Sequence, residues 1–338
     1  TVSGLTEEGE FILEEVYQTN KEGYGHFIEQ LHEAEESGQR IELAVETTGN
    51  ARYFKNKMEK EGFLVKVVNT NRFKVITMST KKTDLNDAAT LAYYLQKEML
   101  PESHLCDQTS EEMRRMLKTR SILVQSTVKI KNQIHGMMLG YGIETKAAQL
   151  QSKKRRQQLI YDLKDHDFSE YTASSLEVML SILENLAEEI KRVEEEIGKM
   201  VQKNEDVRLL QTIPGVGPIN SATIAAYTAD MSRFDGDYKR FASYIGIVPV
   251  VHHSNEHKYN GRITKHGPQE LRTAMVQVAL GMIRLPHRTR EWKLLKKYQQ
   301  QKTEKGSGKA IIALARKLSR IIFVMLTTRK EFDAERMI

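Results

Sequence analysis

The apolar positions change period several times along the first hundred residues, and each change predicts an element. Residues 1–4 read as the tail of a strand, and 9–16, with Phe11, Ile12 and Leu13, as a second one. Over 24–36, Phe27, Ile28 and Leu31 fall on one face of a helix. Ile41, Leu43 and Val45 then alternate, which predicts a strand over 40–45 that runs into Glu46-Thr47-Thr48-Gly49, where a turn begins. A helix over 51–61 and a strand over 63–69 follow. Ala88, Ala89, Leu91, Ala92 and Leu95 then keep helical spacing with no breaker before Pro101. Two strands followed by β-α-β-α predict one mixed sheet with helices packed on it.

Beyond residue 100 the periods are helical. Residues 109–138 form a long basic helix with Ser110 as its cap, and 151–158 a short basic cluster. Over 174–203, Met179, Ile182, Leu186, Ile190, Val193, Ile197 and Met200 recur three or four apart, a coiled-coil seam, intramolecular or dimeric. Leu210-Gln211-Thr212-Ile213-Pro214-Gly215-Val216-Gly217-Pro218 ends one helix, makes a tight turn and starts another. Residues 241–272 place a polar loop between two apolar segments, and 309–326 close with an amphipathic helix.

Composition changes the picture mainly through charge. The formal net charge of +6 over 338 residues conceals a strong asymmetry. Residues 1–100 hold 12 Lys/Arg against 17 Asp/Glu, 111–160 hold 11 against 3, 171–206 hold 4 against 9, and 239–320 hold 18 against 4. A basic excess of that size is the footprint of a polyanion partner. The single cysteine, Cys106, excludes an internal disulfide framework and a cysteine-rich zinc site. No segment has the pattern of a signal peptide or the length of a membrane span, which fits a cytoplasmic protein.

Candidate chemistry sits at four places. Asp84 and Asp87, three apart, share the first turn of the helix that Thr83 is placed to cap. There they either complement the helix dipole or serve as oxygen ligands for a hard cation such as Mg²⁺. Glu46, at a strand's carboxyl end, is where ligand groups gather in open α/β sheets. On the long basic helix Lys129, Lys131 and His135 either face a phosphate backbone or form a solvated face. Gly215 and Gly217 resemble a helix-hairpin-helix turn, whose backbone N–H groups contact phosphate. In the polar loop, Ser254 is a hydroxyl flanked by Lys258, Arg262, Lys265 and Arg272, cations that would stabilise charge on a phosphate under attack. His252, His253 and His257 lack an acidic or thiol partner at clear spacing and are not read as a metal site.

Taken together, Glu46-Thr47-Thr48-Gly49, Lys82-Thr83-Asp84-Leu85-Asn86-Asp87-Ala88, Ile213-Pro214-Gly215-Val216-Gly217, Tyr244-Ile245-Gly246-Ile247-Val248-Pro249, Ser254 and Gly261-Arg262-Ile263-Thr264-Lys265-His266-Gly267 resemble the DEDD transposases of the insertion-sequence 110 family. The 1111-type elements and Piv-type DNA invertases share the pattern. The resemblance implies a multidomain α/β plus α protein. Its parts would be a RuvC-like (RNase H-like) domain with the following basic helices over 1–165, a coiled coil over 166–206, and a mostly helical C-terminal transposase domain over 207–338. It also implies that Glu46, Asp84 and Asp87 bind Mg²⁺ and that Ser254 attacks DNA to give a covalent phosphoserine. A structured noncoding bridge RNA would pair with element-end and target DNA, in a homodimer or tetramer acting in the cytoplasm of a bacterium or archaeon, nucleoid-associated. Two positions depart from the pattern. The first Asp of the set belongs on a strand ahead of Thr1, so the chain as given is expected to be an impaired catalyst. Asn255 stands where the family commonly has Gly, and Asn tolerates the left-handed backbone such a turn needs. The competing readings are a hydrolytic Holliday-junction nuclease and an RNA- and DNA-binding protein without chemistry.

Overall fold

The computed structural model describes residues 1–70, 73, 83–163, 168–253 and 258–337. The chain forms two compact units, Thr1–Leu105 and Cys106–Ile338.

In the first unit β1 (Val2–Leu5) and β2 (Phe11–Glu15) pair antiparallel, with Val2 opposite Glu15 and Leu5 opposite Phe11. Asn20 caps α1 (Lys21–Glu36) by accepting the Gly23 N–H at 2.9 Å. Then β3 (Glu42–Glu46), α2 (Ala51–Lys60) and β4 (Leu64–Val68) make a βαβ unit whose strands pair parallel, Glu42 opposite Leu64 and Glu46 opposite Val68. Tyr24, Phe27 and Leu31 of α1 are buried with Met58, Phe63 and Val65. The last helix, α3 (Asp84–Gln96), begins where the sequence places it: Thr83 Oγ1 accepts the Asn86 N–H at 3.2 Å.

The expected single mixed sheet is not formed among the described residues. The two strand pairs remain separate two-stranded sheets. The physical reason is space. A cavity of about 920 Å³ is lined by Val2–Leu5 of β1, Leu43–Val45 of β3, and Ala88, Leu91, Ala92 and Leu95 of α3, so neither open strand edge reaches the other. The Ser3 hydroxyl and the Gln96 side-chain oxygen are buried there without partners.

The second unit starts with two helices, α4 (Gln108–Gly140) and α6 (Glu170–Gln202), joined through α5 (Lys153–Asp162). Each long helix has 33 residues, about 50 Å at 1.5 Å per residue. They run antiparallel: Ile134 and Met138 of α4 are buried with Leu176, Leu180 and Leu183, while Met113 and Leu117 are buried with Val193, Ile197 and Val201. The expected seam is therefore split. Val193 and Ile197 pack inside the unit, whereas Ile182 is 40% exposed, because a different stripe of α6 faces α4 and α5. The cap of α4 also differs from expectation. Asp107, not Ser110, fills that position: its carboxylate accepts the Ser110 N–H at 2.8 Å and the Ser110 hydroxyl at 2.7 Å.

Next come α7 (Glu205–Gln211), α8 (Pro218–Thr228), α9 (Tyr238–Ile245), an antiparallel hairpin of β5 (Pro249–His253) and β6 (Lys258–Ile263), α10 (Gln269–Ile283), the short α11 (Pro286–Thr289), α12 (Lys293–Lys305) and α13 (Ser307–Thr328). One apolar cluster runs from Met113 through Ile224, Met275, Val278 and Met282 to Leu318 and Ile322. Each fully buried side chain of that size contributes about 1.5–3 kcal/mol. The hairpin corrects the expected polar loop; its Ser, His, Asn and Lys content hides the strand alternation.

Candidate active site

The acidic residues lie in the first unit. Glu46 is half-buried at the carboxyl end of β3, and Asp84 and Asp87 stand in the first turn of α3, the former exposed and the latter half-buried. Neither Asp has a side-chain hydrogen bond or ion pair among the described residues, so their oxygens are open to a cation or to water. Lys81 and Lys82 lie outside the described residues. Among the described residues no three His, Cys, Asp or Glu side chains gather closely enough to hold a metal ion. The donors have the hard-oxygen chemistry of a Mg²⁺ site, but this geometry does not form a cage, and no step is derived through a metal.

The turn between α7 and α8 explains its two glycines differently. Gly215 has φ +87°, and a Cβ there would come within 2.7 Å of the Gly281 carbonyl carbon on α10, so this position serves close packing. Gly217 has open space around it and is the N-cap of α8; Pro218 follows at the first helical position, where a missing N–H costs nothing. Ser221 donates to the Gly217 carbonyl at 3.0 Å. The N–H groups of Ile219 and Asn220 belong to the first turn, which has no intrahelical acceptor for them. A side chain is thus excluded at Gly215 by the Gly281 backbone, whereas Gly217 faces open space.

The β5–β6 hairpin springs from a place where the chain crosses itself. Gly246 ends α9 in a left-handed conformation, and a Cβ on it would overlap the His266 carbonyl oxygen. A Cβ on Gly267 would overlap the Tyr244 carbonyl oxygen. Between these contacts Lys265 donates its N–H to Gly246 at 3.1 Å and Thr264 to Val248 at 2.9 Å. Arg272 reaches from α10 to the carbonyls of Ile245 at 3.4 Å and Lys265 at 3.3 Å. Pairing of His253 with Lys258 closes the described part of the hairpin. Residues 254–257, including Ser254, Asn255 and His257, join these strands but lie outside the described residues, as does the Lys258 side chain. Arg262 and Lys265 are exposed, whereas Arg272 is half-buried and engaged with backbone.

On α4, Lys129 is exposed and Lys131 half-buried. Two residues apart on a helix point about 200° apart, so these lysines occupy different faces. His135, on the Lys131 side, hydrogen-bonds the Thr145 hydroxyl. Sequence reading missed a cluster at the end of α8. Arg114 lies over the Tyr227 ring at 4.4 Å and donates to the Ala226 carbonyl at 2.8 Å; Arg233 lies over Tyr244 at 4.1 Å and donates to the Tyr227 carbonyl at 2.8 Å. Two guanidinium groups thus cap the negative end of the helix. Burial, reinforced by nearby Glu270, pushes the Tyr227 phenol up to about 12. Nothing in the sequence separates Arg114 from its basic neighbours; only the fold does.

This geometry can be compared with known proteins. Residues 1–143 match a transposase family profile of the DEDD, insertion-sequence 110 type, and residues 207–294 match the profile described as Transposase IS116/IS110/IS902 family. The chain is 25% identical over 291 residues to the transposase for insertion sequence element IS1111A of Coxiella burnetii, covering 86% of this chain and 79% of that protein. It is 26% identical over 298 residues to the transposase for insertion sequence element IS1328 of Yersinia enterocolitica, covering 86% and 85%. A probable family 20 transposase of Pseudomonas aeruginosa is 22% identical over 289 residues, covering 84% and 83%. Two transposase domains in order, on a mostly helical frame, make this chain a transposase, an enzyme of DNA cleavage and strand transfer. The two matched segments are transposase domains of the IS110 and IS116/IS110/IS902 type. No helix among the described residues is long and apolar enough to cross a membrane.

Proposed function

We propose that this transposase is an RNA-guided, Mg²⁺-dependent recombinase that cuts DNA through a covalent phosphoserine at Ser254. The observation that carries this reading is the β5–β6 hairpin, held at its base by the crossing of Gly246 and Gly267 and joined by the four residues that include Ser254. A nucleophile must be held to a fraction of an ångström, and a base built from backbone contacts gives the hairpin that stiffness. In the step itself the Ser254 Oγ–P bond forms as the bond from phosphorus to the leaving sugar oxygen breaks. The hydroxyl proton is released, and the leaving oxygen takes up a proton. Arg262 and Lys265, exposed on and just after β6, supply positive charge to the phosphate. Glu46, Asp84 and Asp87 are the hard-oxygen donors that would hold Mg²⁺, a Lewis acid toward phosphoryl oxygen, once brought closer together than they stand in this structure. The RuvC-like domain would span 1–165, the coiled coil 166–206 and the transposase domain 207–338. A structured bridge RNA would choose the DNA by base pairing, and a dimer or tetramer would join the ends near the nucleoid in the cytoplasm.

The test is a denaturing gel of protein with Mg²⁺, the RNA encoded beside its gene and labelled element-end DNA. Label that migrates with protein and vanishes in Ser254→Ala supports the covalent step. Cut DNA free of protein replaces it with hydrolysis by metal-activated water.

A further inference from the structure

The two helices α12 and α13 are joined by the single residue Gly306 and fold back on each other. Residues 293–320 hold nine Lys/Arg and one acidic residue, Glu304. Lys293, Lys297, Gln301 and Lys305 fall four apart along α12, and Lys309, Ala313, Lys317 and Arg320 three or four apart along α13, so each helix presents one basic stripe. The six cations of these stripes are exposed. Among the described residues no carboxylate pairs with Lys293, Lys297, Lys305, Lys309 or Lys317; Glu291 is taken by Lys296 at 2.9 Å, and Glu304 bonds Gln300 at 2.9 Å. Partial burial and the adjacent Lys297 ammonium hold the Lys317 amine below its usual value. The described residues therefore bring like charges together across the helix pair and supply no paired carboxylate to these five lysines.

We propose that the α12–α13 stripes are a docking surface for the phosphate backbone of duplex DNA, separate from the β5–β6 hairpin and the turn at Gly217. Lys293 to Lys305 spans about 18 Å of helix, a length over which B-DNA carries about ten phosphates. Val324 is the one large apolar side chain exposed on these two helices among the described residues, so the surface lacks the apolar face that membrane docking uses. The inference rests on DNA being the substrate and not on the covalent serine.

The experiment measures binding of the full chain to a 30-base-pair duplex of arbitrary sequence across a salt series. Lys297→Gln/Lys309→Gln/Lys317→Gln should flatten the plot of log affinity against log salt by about 2.7, at roughly 0.9 per lost phosphate contact. Affinity near 0.15 M salt should fall at least tenfold. The triple Lys→Arg variant should keep the wild-type slope. Lys191→Gln/Lys199→Gln/Lys203→Gln removes the same formal charge from acidic α6 and the residue that caps its end, and should leave the slope within about one unit. An unchanged slope in the first variant, or equal flattening in both Gln variants, overturns the proposal. A loss confined to structured RNA or to phosphatidylserine vesicles overturns it in favour of that ligand. Wild-type protein that binds DNA with the predicted slope yet never forms a serine adduct leaves this surface standing and removes the covalent reading alone.

Discussion

Gly38 in the first unit and Gly267 in the second share a backbone φ of +90°. Around Gly38 nothing lies within 4 Å of where a Cβ would stand; around Gly267 the Tyr244 backbone already fills that space. The units differ in the same way. The first keeps two strand pairs apart around a cavity of about 920 Å³, while the second packs a large apolar cluster that runs from α4 to α13 and a smaller one among α4, α5 and α6. In the second unit the chain crosses itself closely at Gly246 with His266 and at Gly267 with Tyr244. That crossing lies directly beneath the hairpin joined through residues 254–257.

The largest expected effect breaks this contrast or confirms it. Gly267→Ala combines a left-handed backbone with overlap against main chain and should cost about 3 kcal/mol or more. Gly38→Ala, with the same φ and open space, should cost about 1 kcal/mol from the backbone alone. Urea unfolding of both variants checks the pair. Equal losses would mean that backbone angle, and not the crossing, governs these positions. In Gly267→Ala the covalent product proposed for Ser254 should fall even at temperatures where the protein is folded.

A smaller effect addresses the cores. Ala279 is fully buried in the second unit, and Ala279→Leu should cost about 1–3 kcal/mol by overpacking. Ala92 lines the cavity in the first unit, and Ala92→Leu has room for the longer chain at nearly the same helix propensity. Its midpoint should stay within about 1 kcal/mol of the parent or rise. A large loss in Ala92→Leu would show that the cavity closes in solution, and would erase the difference between the units.

The same contrast decides how far the sequence could be read. Local signals were legible: Thr83 capping α3, the 2-residue alternation of β3 and the 3.6-residue period of α1 follow from neighbours in the chain. Glu46, Asp84 and Asp87 could be singled out for the same reason, since a strand end and a first helical turn are local features. What depends on distant residues was hidden. Nothing near Gly215 announces Gly281, and nothing near Arg114 announces the carbonyl of Ala226. The β5–β6 strands read as a loop because polar side chains there mask alternation. The seam on α6 read as one stripe because spacing alone does not say which of two adjacent faces meets α4. Whether Lys129 and Lys131 face a phosphate backbone or water could not be read from spacing, since two positions on a helix point about 200° apart.

The smallest effect sits at the start of the second unit, where sequence reading chose the wrong cap. Asp107, with its carboxylate bonded to both the N–H and the hydroxyl of Ser110, caps the start of a 33-residue helix. Burial opposes the charge there, yet the Ser110 bonds and neighbouring N–H groups hold the carboxyl below the ordinary aspartate value of 3.8. Because the folded form titrates lower than the unfolded one, this contribution is present above about pH 4 and is lost as pH falls through the folded-state value. Asp107→Ala should therefore cost about 1 kcal/mol at pH 7, and the gap between variant and parent should narrow as pH drops below 3.8. Ser110→Ala keeps the carboxylate and its backbone bond and should cost less. If Ser110→Ala proves the costlier of the two, the hydroxyl is the cap after all, and the order read from the sequence was right.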